Sequence, residues 1–156
     1  MAAQPQAGDQ APDFSLSTGS DGPVSLSALK GSKVVLYFYP KDDTDACTAE
    51  AIAFNGLRAQ FRRAETQIVG ISPDSIASHD KFKRKYGLAL ALASDETKAV
   101  IEAFGIWREK SMFGRKYMGV ERTTVLIDRH GKIARIWRKV RVPGHAEDVL
   151  AAARAL

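Results

Sequence analysis

The sequence predicts an α/β fold in which a central mixed β-sheet is flanked by helices. Two observations lead to this fold class. Apolar runs of strand length alternate with segments of helical periodicity over the first two thirds of the chain, and two adjacent β-rich runs with a terminal helix follow them. With 156 residues, of which 45% are apolar, the chain has the length and composition of one soluble domain. We therefore expect residues 1–156 to form a single domain.

The elements of the first half follow from periodicity and from the residues that interrupt it. Residues 24–29 are typical of a short strand followed by a helical turn. Val34 to Tyr39 is an unbroken run of β-branched and aromatic residues that ends at Pro40, which is typical of a central strand buried on both faces. From Thr48 to Arg63, apolar residues recur in steps of three and four, which predicts an amphipathic helix. Residues 40–46 therefore form a strand-to-helix loop.

The second half repeats this order and then changes it. Gly87 and Gly105 each follow a predicted helix, at the position where a left-handed residue is favoured. The segment 128–131, Asp-Arg-His-Gly, joins two β-rich runs and predicts an antiparallel hairpin. A thioredoxin-like fold fits this order of elements. The predicted strands cover residues 67–72, 90–93, 123–127 and 133–137, and the predicted helices cover 75–86, 95–104 and 146–156.

The only cysteine of the chain, Cys47, falls at the start of the first long helix. In an open α/β sheet the functional crevice lies at the carboxyl ends of the strands, where the 40–46 loop must also lie. Unpaired amides and the positive end of the helix dipole favour an anion in the first turn, and the thiolate is the nucleophilic form of cysteine. Taken alone, a free cysteine is more often a small buried apolar residue. Position by itself leaves both interpretations open.

The residues before Cys47 favour the catalytic interpretation. Pro40, Thr44 and Cys47 occur in the spacing P-x-x-x-T-x-x-C, which resembles the active-site motif of the peroxiredoxins. The resemblance implies a thiol that attacks peroxide. Thr44 places a hydroxyl one helical turn before the sulfur, where it can donate to one peroxide oxygen and accept from the other. Pro40 can shield the thiolate without competing for its hydrogen bonds, because proline has no amide hydrogen.

The resemblance extends over nearly the whole chain and indicates one branch of that family. Residues 8–14, 37–44, 47–50 and 119–128 resemble the bacterioferritin comigratory protein branch, also called peroxiredoxin Q. In that branch the arginine at the position of Arg122 approaches the reactive sulfur. The resemblance implies the same role here, in which the guanidinium holds the thiolate ionised and stabilises charge on the departing oxygen.

Three positions near the thiol leave alternatives open. Glu50 lies one turn beyond Cys47, where it either orients Arg122 or is a carboxylate on the helix surface. The family commonly has Pro-Gly where this chain has Asp45-Ala46. Asp45 either offsets part of the thiolate stabilisation or caps the helix.

The chain lacks the second thiol that the family often uses to resolve the oxidised cysteine. The resemblance places that thiol either at the position of Ile52 or in the next helix, where the chain has Phe82-Lys83-Arg84. The chain is therefore identified as a one-cysteine member of the branch.

The predicted reaction begins with attack of the Cys47 thiolate on the terminal oxygen of hydrogen peroxide or an organic hydroperoxide, which leaves a sulfenic acid. An external thiol must then reduce the sulfenic acid through a mixed disulfide. The resemblance implies thioredoxin, and the missing second cysteine makes glutathione or glutaredoxin an alternative. A second function is a peroxide sensor whose oxidised Cys47 forms a mixed disulfide with a partner protein. Thiol–disulfide exchange in the manner of thioredoxin would need C-x-x-C, and Thr44 occupies the place of the first cysteine.

The other sequence features argue against further classes of function. The net charge of +5 is modest and scattered, so no nucleic-acid partner is expected. No apolar stretch approaches the ~20 residues needed to cross a bilayer, and the first dozen residues lack a secretory leader, which favours a cytoplasmic protein. His79, His130 and His145 are dispersed, without carboxylate partners at ligand spacing, so we expect surface histidines, no metal site and no cofactor. The branch is often monomeric, which favours a monomer, although one thiol per chain also permits a dimer.

Overall fold

The computed structural model describes residues 4–19 and 22–156. This part of the chain contains nine strands and four α-helices. The strands are β1 Ser15–Ser17, β2 Pro23–Ser25, β3 Lys33–Phe38, β4 Thr66–Ser72, β5 Ala91–Ser94, β6 Trp107–Met112, β7 Arg115–Val120, β8 Thr123–Ile127 and β9 Ile133–Trp137. The helices are α1 Asp45–Arg63, α2 Ile76–Tyr86, α3 Ala99–Ala103 and α4 His145–Ala155, and a 3₁₀ helix covers Ser27–Leu29.

Seven of these strands form one mixed sheet in the order β2-β1-β5-β4-β3-β8-β9. The central strand β3 pairs in parallel with β4 and antiparallel with β8. All six residues of β3 are buried, as expected for a strand covered on both faces. The predicted central mixed sheet with flanking helices is confirmed, and so is the antiparallel pairing of the last two strands, β8 and β9.

Alternate residues of β3 enter two buried clusters, one on each face of the sheet. Val34, Leu36 and Phe38 belong to the cluster that includes α3. Val35 and Tyr37 belong to the cluster on the opposite face, together with residues of α1, α2 and α4. The second cluster contains Cys47, so the cysteine lies on the face of the sheet that α1, α2 and α4 cover.

The helix boundaries follow the local signals. Thr44 is extended and occupies the N-cap of α1, so the helix begins at Asp45, within two residues of the predicted start. The Ser75 side chain accepts a hydrogen bond from the amide of Ser78 and caps α2, which ends at a left-handed Gly87 as predicted. Among the helices of the described residues, none is both long and apolar enough to span a bilayer.

Three stretches differ from the prediction, and the first is β1 Ser15–Ser17, which it did not include. The predicted helix at 95–104 is only Ala99–Ala103, because Lys98 is left-handed and the Asp95 carboxylate accepts the amide of Ile101 at 2.8 Å. The prediction also missed the separate β6–β7 hairpin. Most of the hairpin side chains are exposed, so they carry no alternation of buried and exposed positions that would reveal strands. The hairpin matters for the site because β7 leads directly into Arg122.

Candidate active site

Cys47 lies in the first turn of α1, beyond the carboxyl end of β3. Pro40 follows the strand and Thr44 ends the loop in an extended conformation that starts the helix. The thiol is 1% exposed. The local sequence thus places a nearly inaccessible sulfur at the positive end of a 19-residue helix, where a thiolate is stabilised by free amides and by the helix dipole.

A guanidinium and a carboxylate form a chain of contacts with this sulfur. Arg122, in the two-residue connection between β7 and β8, donates from Nη2 to Cys47 Sγ at 3.3 Å. Its Nη1 donates to Glu50 Oε1 at 2.7 Å. Glu50 is 1% exposed, so the alternative that it is a carboxylate on the helix surface is wrong. Cys47 and Glu50 are three residues apart on one face of α1, and the planar guanidinium contacts both.

The electrostatics of the group follow from its burial. Burial raises the pKa of the Glu50 carboxyl from 4.5 to about 7, and the nearby Arg122 charge opposes this rise. For Arg122, burial favours a lower pKa, but the charges of Glu50 and Cys47 outweigh burial and raise the pKa of the guanidinium. Burial and the Glu50 charge also raise the pKa of Tyr37. Among the described residues, Glu50 Oε2 and the Tyr37 hydroxyl have no hydrogen-bond partner. The site therefore holds a permanent cation against the sulfur in a desolvated setting.

Thr44 and Pro40 lie on the loop that leads to the thiol. The Thr44 hydroxyl donates to the carbonyl of Lys41 at 2.9 Å, while the Thr44 carbonyl accepts the amide of Thr48 at 2.8 Å. The hydroxyl proton is thus already committed, which leaves the oxygen available as an acceptor. Pro40 is half-buried and Thr44 is exposed. Of the four predicted site residues, Cys47 and Arg122 are the pair joined by a side-chain hydrogen bond.

A groove of about 700 Å³ opens beside this group. One wall is the exposed side of the first turns of α1, and the other is the segment 140–144. Arg122 lines the groove together with small and apolar side chains, which include Ala46, Ala49 and Val142. A molecule with a carbon chain can therefore lie in the groove while its polar end reaches the guanidinium.

Residues 7–136 match the AhpC/TSA family. This chain belongs to that family. As a peroxiredoxin it is an enzyme, a thiol peroxidase, and the relatives place it in the Bcp or peroxiredoxin Q branch. It is 47% identical over 145 residues to the putative peroxiredoxin bcp of Coxiella burnetii, covering 93% of this chain and 96% of the relative. It is 44% identical over 143 residues to peroxiredoxin Bcp of Bacillus subtilis, covering 92% and 91%.

Solved structures of the branch have the same fold as this peroxiredoxin. A Xanthomonas campestris bacterioferritin comigratory protein matches with a TM-score of 0.90 and 41% identity, covering 99% of this chain and 98% of that one. A Xylella fastidiosa PrxQ mutant matches with a TM-score of 0.92 and 36% identity, with the same two coverages. The predicted thioredoxin-like fold is therefore confirmed.

The positions at which the resemblance placed a second thiol hold residues other than cysteine in this peroxiredoxin. Ile52 is 48% exposed on α1, Phe82 is buried in α2, and Lys83 is half-buried next to it. Cys47 is the only cysteine of the sequence, which makes the chain a one-cysteine member of the branch. Asp45 is exposed in the first turn of α1, and Thr44 occupies the N-cap, so the prediction that Asp45 caps the helix is wrong.

Two of the three histidines predicted to be on the surface are buried. His79 is 1% exposed and His145 is 6% exposed, whereas His130 is exposed. His145 Nε2 lies 2.8 Å from Thr124 Oγ1, and burial lowers the pKa of the imidazole. His79 Nδ1 lies 2.7 Å from Asp42 Oδ2. A sequence signal for His79 exists, because it shares a helix face with Phe82, three residues on.

The prediction that the histidines lack carboxylate partners is also wrong for His79. Its ring nitrogen and the carboxylates of Asp42 and Asp74 offer ligand atoms within 4.8 Å of one another. Spacing along the chain hides this cluster because Asp42 lies in the active-site loop and Asp74 in the turn before α2. The cluster is held together by its own hydrogen bonds, in which His79 pairs with Asp42 and the Asp42 amide donates to Asp74.

Proposed function

We propose that this peroxiredoxin reduces hydrogen peroxide and organic hydroperoxides through a sulfenic acid on Cys47, which an external thiol then reduces. The contact that carries the proposal is the 3.3 Å approach of Arg122 Nη2 to Cys47 Sγ. A half-buried arginine directed at a buried sulfur stabilises the thiolate and can stabilise the negative charge that develops when an O–O bond breaks.

In the first step, the Cys47 thiolate attacks the terminal oxygen of the peroxide. The sulfur–oxygen bond forms as the O–O bond breaks, and water or an alcohol leaves after taking up a proton. Arg122 faces the reacting sulfur and Glu50 holds the guanidinium in that orientation. Thr44 accepts a hydrogen bond from the peroxide, since its own proton goes to Lys41, and Pro40 shields the thiolate from solvent.

In the second step, an external thiol attacks the sulfenic sulfur, releases water and forms a mixed disulfide, which another thiol resolves. Thioredoxin is the donor that the family resemblance implies. Glutathione or glutaredoxin is the alternative, because the positions used for an internal thiol hold Ile52 and Lys83. A free catalytic thiol suits a reducing compartment, so we propose that the enzyme is cytoplasmic. We also propose that it acts as a one-domain monomer, because the branch is often monomeric.

The groove beside Arg122 supports organic hydroperoxides as substrates in addition to hydrogen peroxide. Its walls at Ala46, Ala49 and Val142 can take up a carbon chain. The Xanthomonas campestris bacterioferritin comigratory protein has alkyl peroxide reduction activity. We extend that substrate class to this chain.

The test is peroxide turnover by the wild type and by Cys47→Ser, with thioredoxin, glutathione plus glutaredoxin, and a small dithiol compared as donors. We expect Cys47→Ser to be inactive with every donor and the wild type to turn over repeatedly with at least one. Mass spectrometry after one equivalent of peroxide should find one added oxygen atom on Cys47, or a mixed disulfide when the donor is present. Wild-type protein that carries neither species would refute the mechanism.

The same experiment separates the enzyme from the alternative of a peroxide sensor. A sensor is oxidised once and then holds its partner in a stable mixed disulfide, whereas the enzyme consumes many equivalents of peroxide. The comparisons give no support to the sensor.

A further inference from the structure

The active-site loop is anchored by a buried network that the peroxidase reaction does not itself use. Asp42 lies midway between Pro40 and Thr44 and is 7% exposed. A buried carboxylate is costly unless it is paired and hydrogen-bonded. Asp42 Oδ1 accepts from the Tyr39 hydroxyl at 2.6 Å, and Oδ2 accepts from the Ser78 hydroxyl at 2.8 Å. Its remaining partner is an imidazole.

That imidazole, His79 of α2, joins the loop to the sheet. Nδ1 lies 2.7 Å from Asp42 Oδ2, and Nε2 lies 3.0 Å from the Ala93 carbonyl at the end of β5. A carbonyl oxygen can only accept, so Nε2 is the donor in the bond to Ala93. The ring is 1% exposed. It thus holds Asp42 at a fixed position relative to β5.

The backbone of the same loop residue has a second anchor. The Asp42 amide donates to Asp74 Oδ2 at 2.8 Å, and the Ser72 hydroxyl donates to that same oxygen at 2.7 Å. Asp74 follows the carboxyl end of β4. Asp42 is therefore held through its side chain by Ser78 and His79 of α2, and through its backbone by Asp74 in the turn between β4 and α2.

The residue after this double anchor has a strained backbone. Asp43 has φ of 60°, a left-handed conformation that costs energy in a residue other than glycine. Its carboxylate accepts from Lys85 Nζ and from the Tyr86 hydroxyl, both at 2.6 Å. The left-handed turn directs the chain so that the Thr44 hydroxyl reaches back to the Lys41 carbonyl. The bonds of Asp42 and of the Asp43 carboxylate hold Asp43 in this left-handed conformation, which a loop without them would leave.

We infer that Asp42 and His79 are positioning residues that fix the 40–44 loop in the geometry needed for attack on peroxide. Neither residue contacts the sulfur, so they act through the placement of Thr44 and Pro40. The inference rests on the proposed roles of those two residues. Loss of the His79–Asp42 bond should slow the reaction with peroxide and leave the intrinsic reactivity of the Cys47 thiolate unchanged, because Arg122 and the helix start do not depend on it.

The test compares two reactions of the same thiol in single turnover. The rate constant with hydrogen peroxide depends on the contacts that the loop makes with the peroxide, whereas the rate constant with iodoacetamide reports the reactivity and the accessibility of the thiolate without those contacts. Two amide variants of His79 separate the effects of its two hydrogen bonds, because each variant can keep only one of them. His79→Asn places an amide nitrogen near the Nδ1 position and can keep the bond to Asp42, and His79→Gln places one near Nε2 and keeps only the bond to Ala93.

We expect His79→Gln and Asp42→Asn to lower the peroxide rate constant by about 10- to 100-fold, the range typical of a misplaced reacting group. Iodoacetamide rates should stay within about twofold of the wild type, and His79→Asn should recover most of the peroxide rate. His145→Asn is the matched control, because it also replaces a buried, hydrogen-bonded histidine but leaves the loop untouched. It should not change the ratio of the two rates.

Several results would overturn the inference. Equal losses of both rates in His79→Gln and Asp42→Asn would indicate a general effect on the thiolate or on folding. An unchanged peroxide rate in a folded variant would show that the network does not position the loop. If His79→Gln does not fold, as judged by circular dichroism, Asp42→Asn decides, because it preserves the size of the side chain. A wild type that reacts with iodoacetamide and not with peroxide would refute the proposed function instead.

Discussion

Replacing Glu50 with glutamine should stabilise the protein at alkaline pH and slow its reaction with peroxide. Burial raises the pKa of the Glu50 carboxyl from 4.5 to about 7, against the opposing charge of Arg122. Because this pKa is higher in the folded chain than in the unfolded chain, the folded state binds more protons between these values. Stability is therefore complete below pH 4.5 and is lost as the pH rises through about 7. Glutamine does not titrate, so the variant should lack this loss.

The magnitude follows from the two pKa values. The difference between about 7 and 4.5 is about 2.5, which at 1.36 kcal/mol per unit corresponds to about 3 kcal/mol. Glu50 is 1% exposed, so solvent does not reduce this figure by much. Some of the gain is lost because a neutral amide binds Arg122 more weakly than a carboxylate does. We expect the free energy of unfolding to rise by about 1–3 kcal/mol at pH 8 and by less than about 1 kcal/mol at pH 5, where only the first part of the loss has occurred.

The kinetic effect has the opposite sign and the same pH dependence. Below pH 7 the wild-type carboxyl is largely protonated and resembles glutamine, so both proteins hold Arg122 with a neutral partner. Above pH 7 only the wild type has the ion pair that orients the guanidinium toward Cys47. The ratio of the two peroxide rate constants should therefore be near one at pH 5.5 and rise to about 10 above pH 8.

The assay is urea denaturation and single-turnover oxidation of both proteins across pH 4.5 to 9. Glu102→Gln is a matched control because Glu102 is exposed on α3. It should change neither the pH dependence of stability nor the rate ratio. A rate ratio that does not vary with pH, or a stability difference that titrates near pH 4.5, would refute the conclusion that Glu50 is desolvated and positions Arg122.

Three further predictions concern the groups around the sulfur. Arg122→Met should lower the peroxide rate constant by about 100- to 1000-fold in stopped-flow assays, since it removes the charge that faces Cys47, and a smaller loss than tenfold would contradict the role of the guanidinium. In Thr44→Ser, kcat/KM for hydrogen peroxide should stay close to that of the wild type, whereas in Thr44→Val it should fall about tenfold. An unchanged kcat/KM in Thr44→Val would contradict the binding of the substrate by the hydroxyl. Ala49→Phe should fill part of the groove and lower kcat/KM for a bulky organic hydroperoxide by about tenfold, with little change for hydrogen peroxide; equal effects on the two substrates would contradict the use of the groove.

The parts of the fold that local sequence determines were predicted. The apolar run from Val34 to Tyr39 is unbroken because the central strand β3 is covered on both faces, and such a run can be recognised without tertiary information. The face of α1 was harder to predict. The apolar periodicity predicts a face of Ala49, Ala53, Leu57 and Phe61, joined by Ile52 and Phe54, and of these only Phe54 and Phe61 are buried. The other buried residues of α1 are Cys47, Glu50 and Ala51. Alanine is small enough to lie on either side of a helix, so an alanine-rich segment does not determine which face is buried.

The candidate site shows the same division between local and distant information. The spacing of Pro40, Thr44 and Cys47 is a local pattern, and it led to the loop and the thiol. The partner of the thiol, Arg122, lies 75 residues away and was reached only through the family resemblance. Glu50 was left with two interpretations because periodicity cannot determine whether a distant guanidinium covers a carboxylate on a helix.

The buried histidines were missed for a related physical reason. Histidine and aspartate are usually exposed, and His79 and Asp42 are buried here only because each satisfies the other, across 37 residues of sequence. The segment around Asp42, Pro40-Lys41-Asp42-Asp43-Thr44, is polar and gives no sign that Asp42 is buried, and the position of His79 on the Phe82 face of α2 does not reveal its partner. The free-energy cost of burying Asp42 and His79 is offset only when the loop and α2 are both in place. That mutual requirement argues for a loop that is ordered before peroxide arrives, so that attack by Cys47 does not have to await its folding.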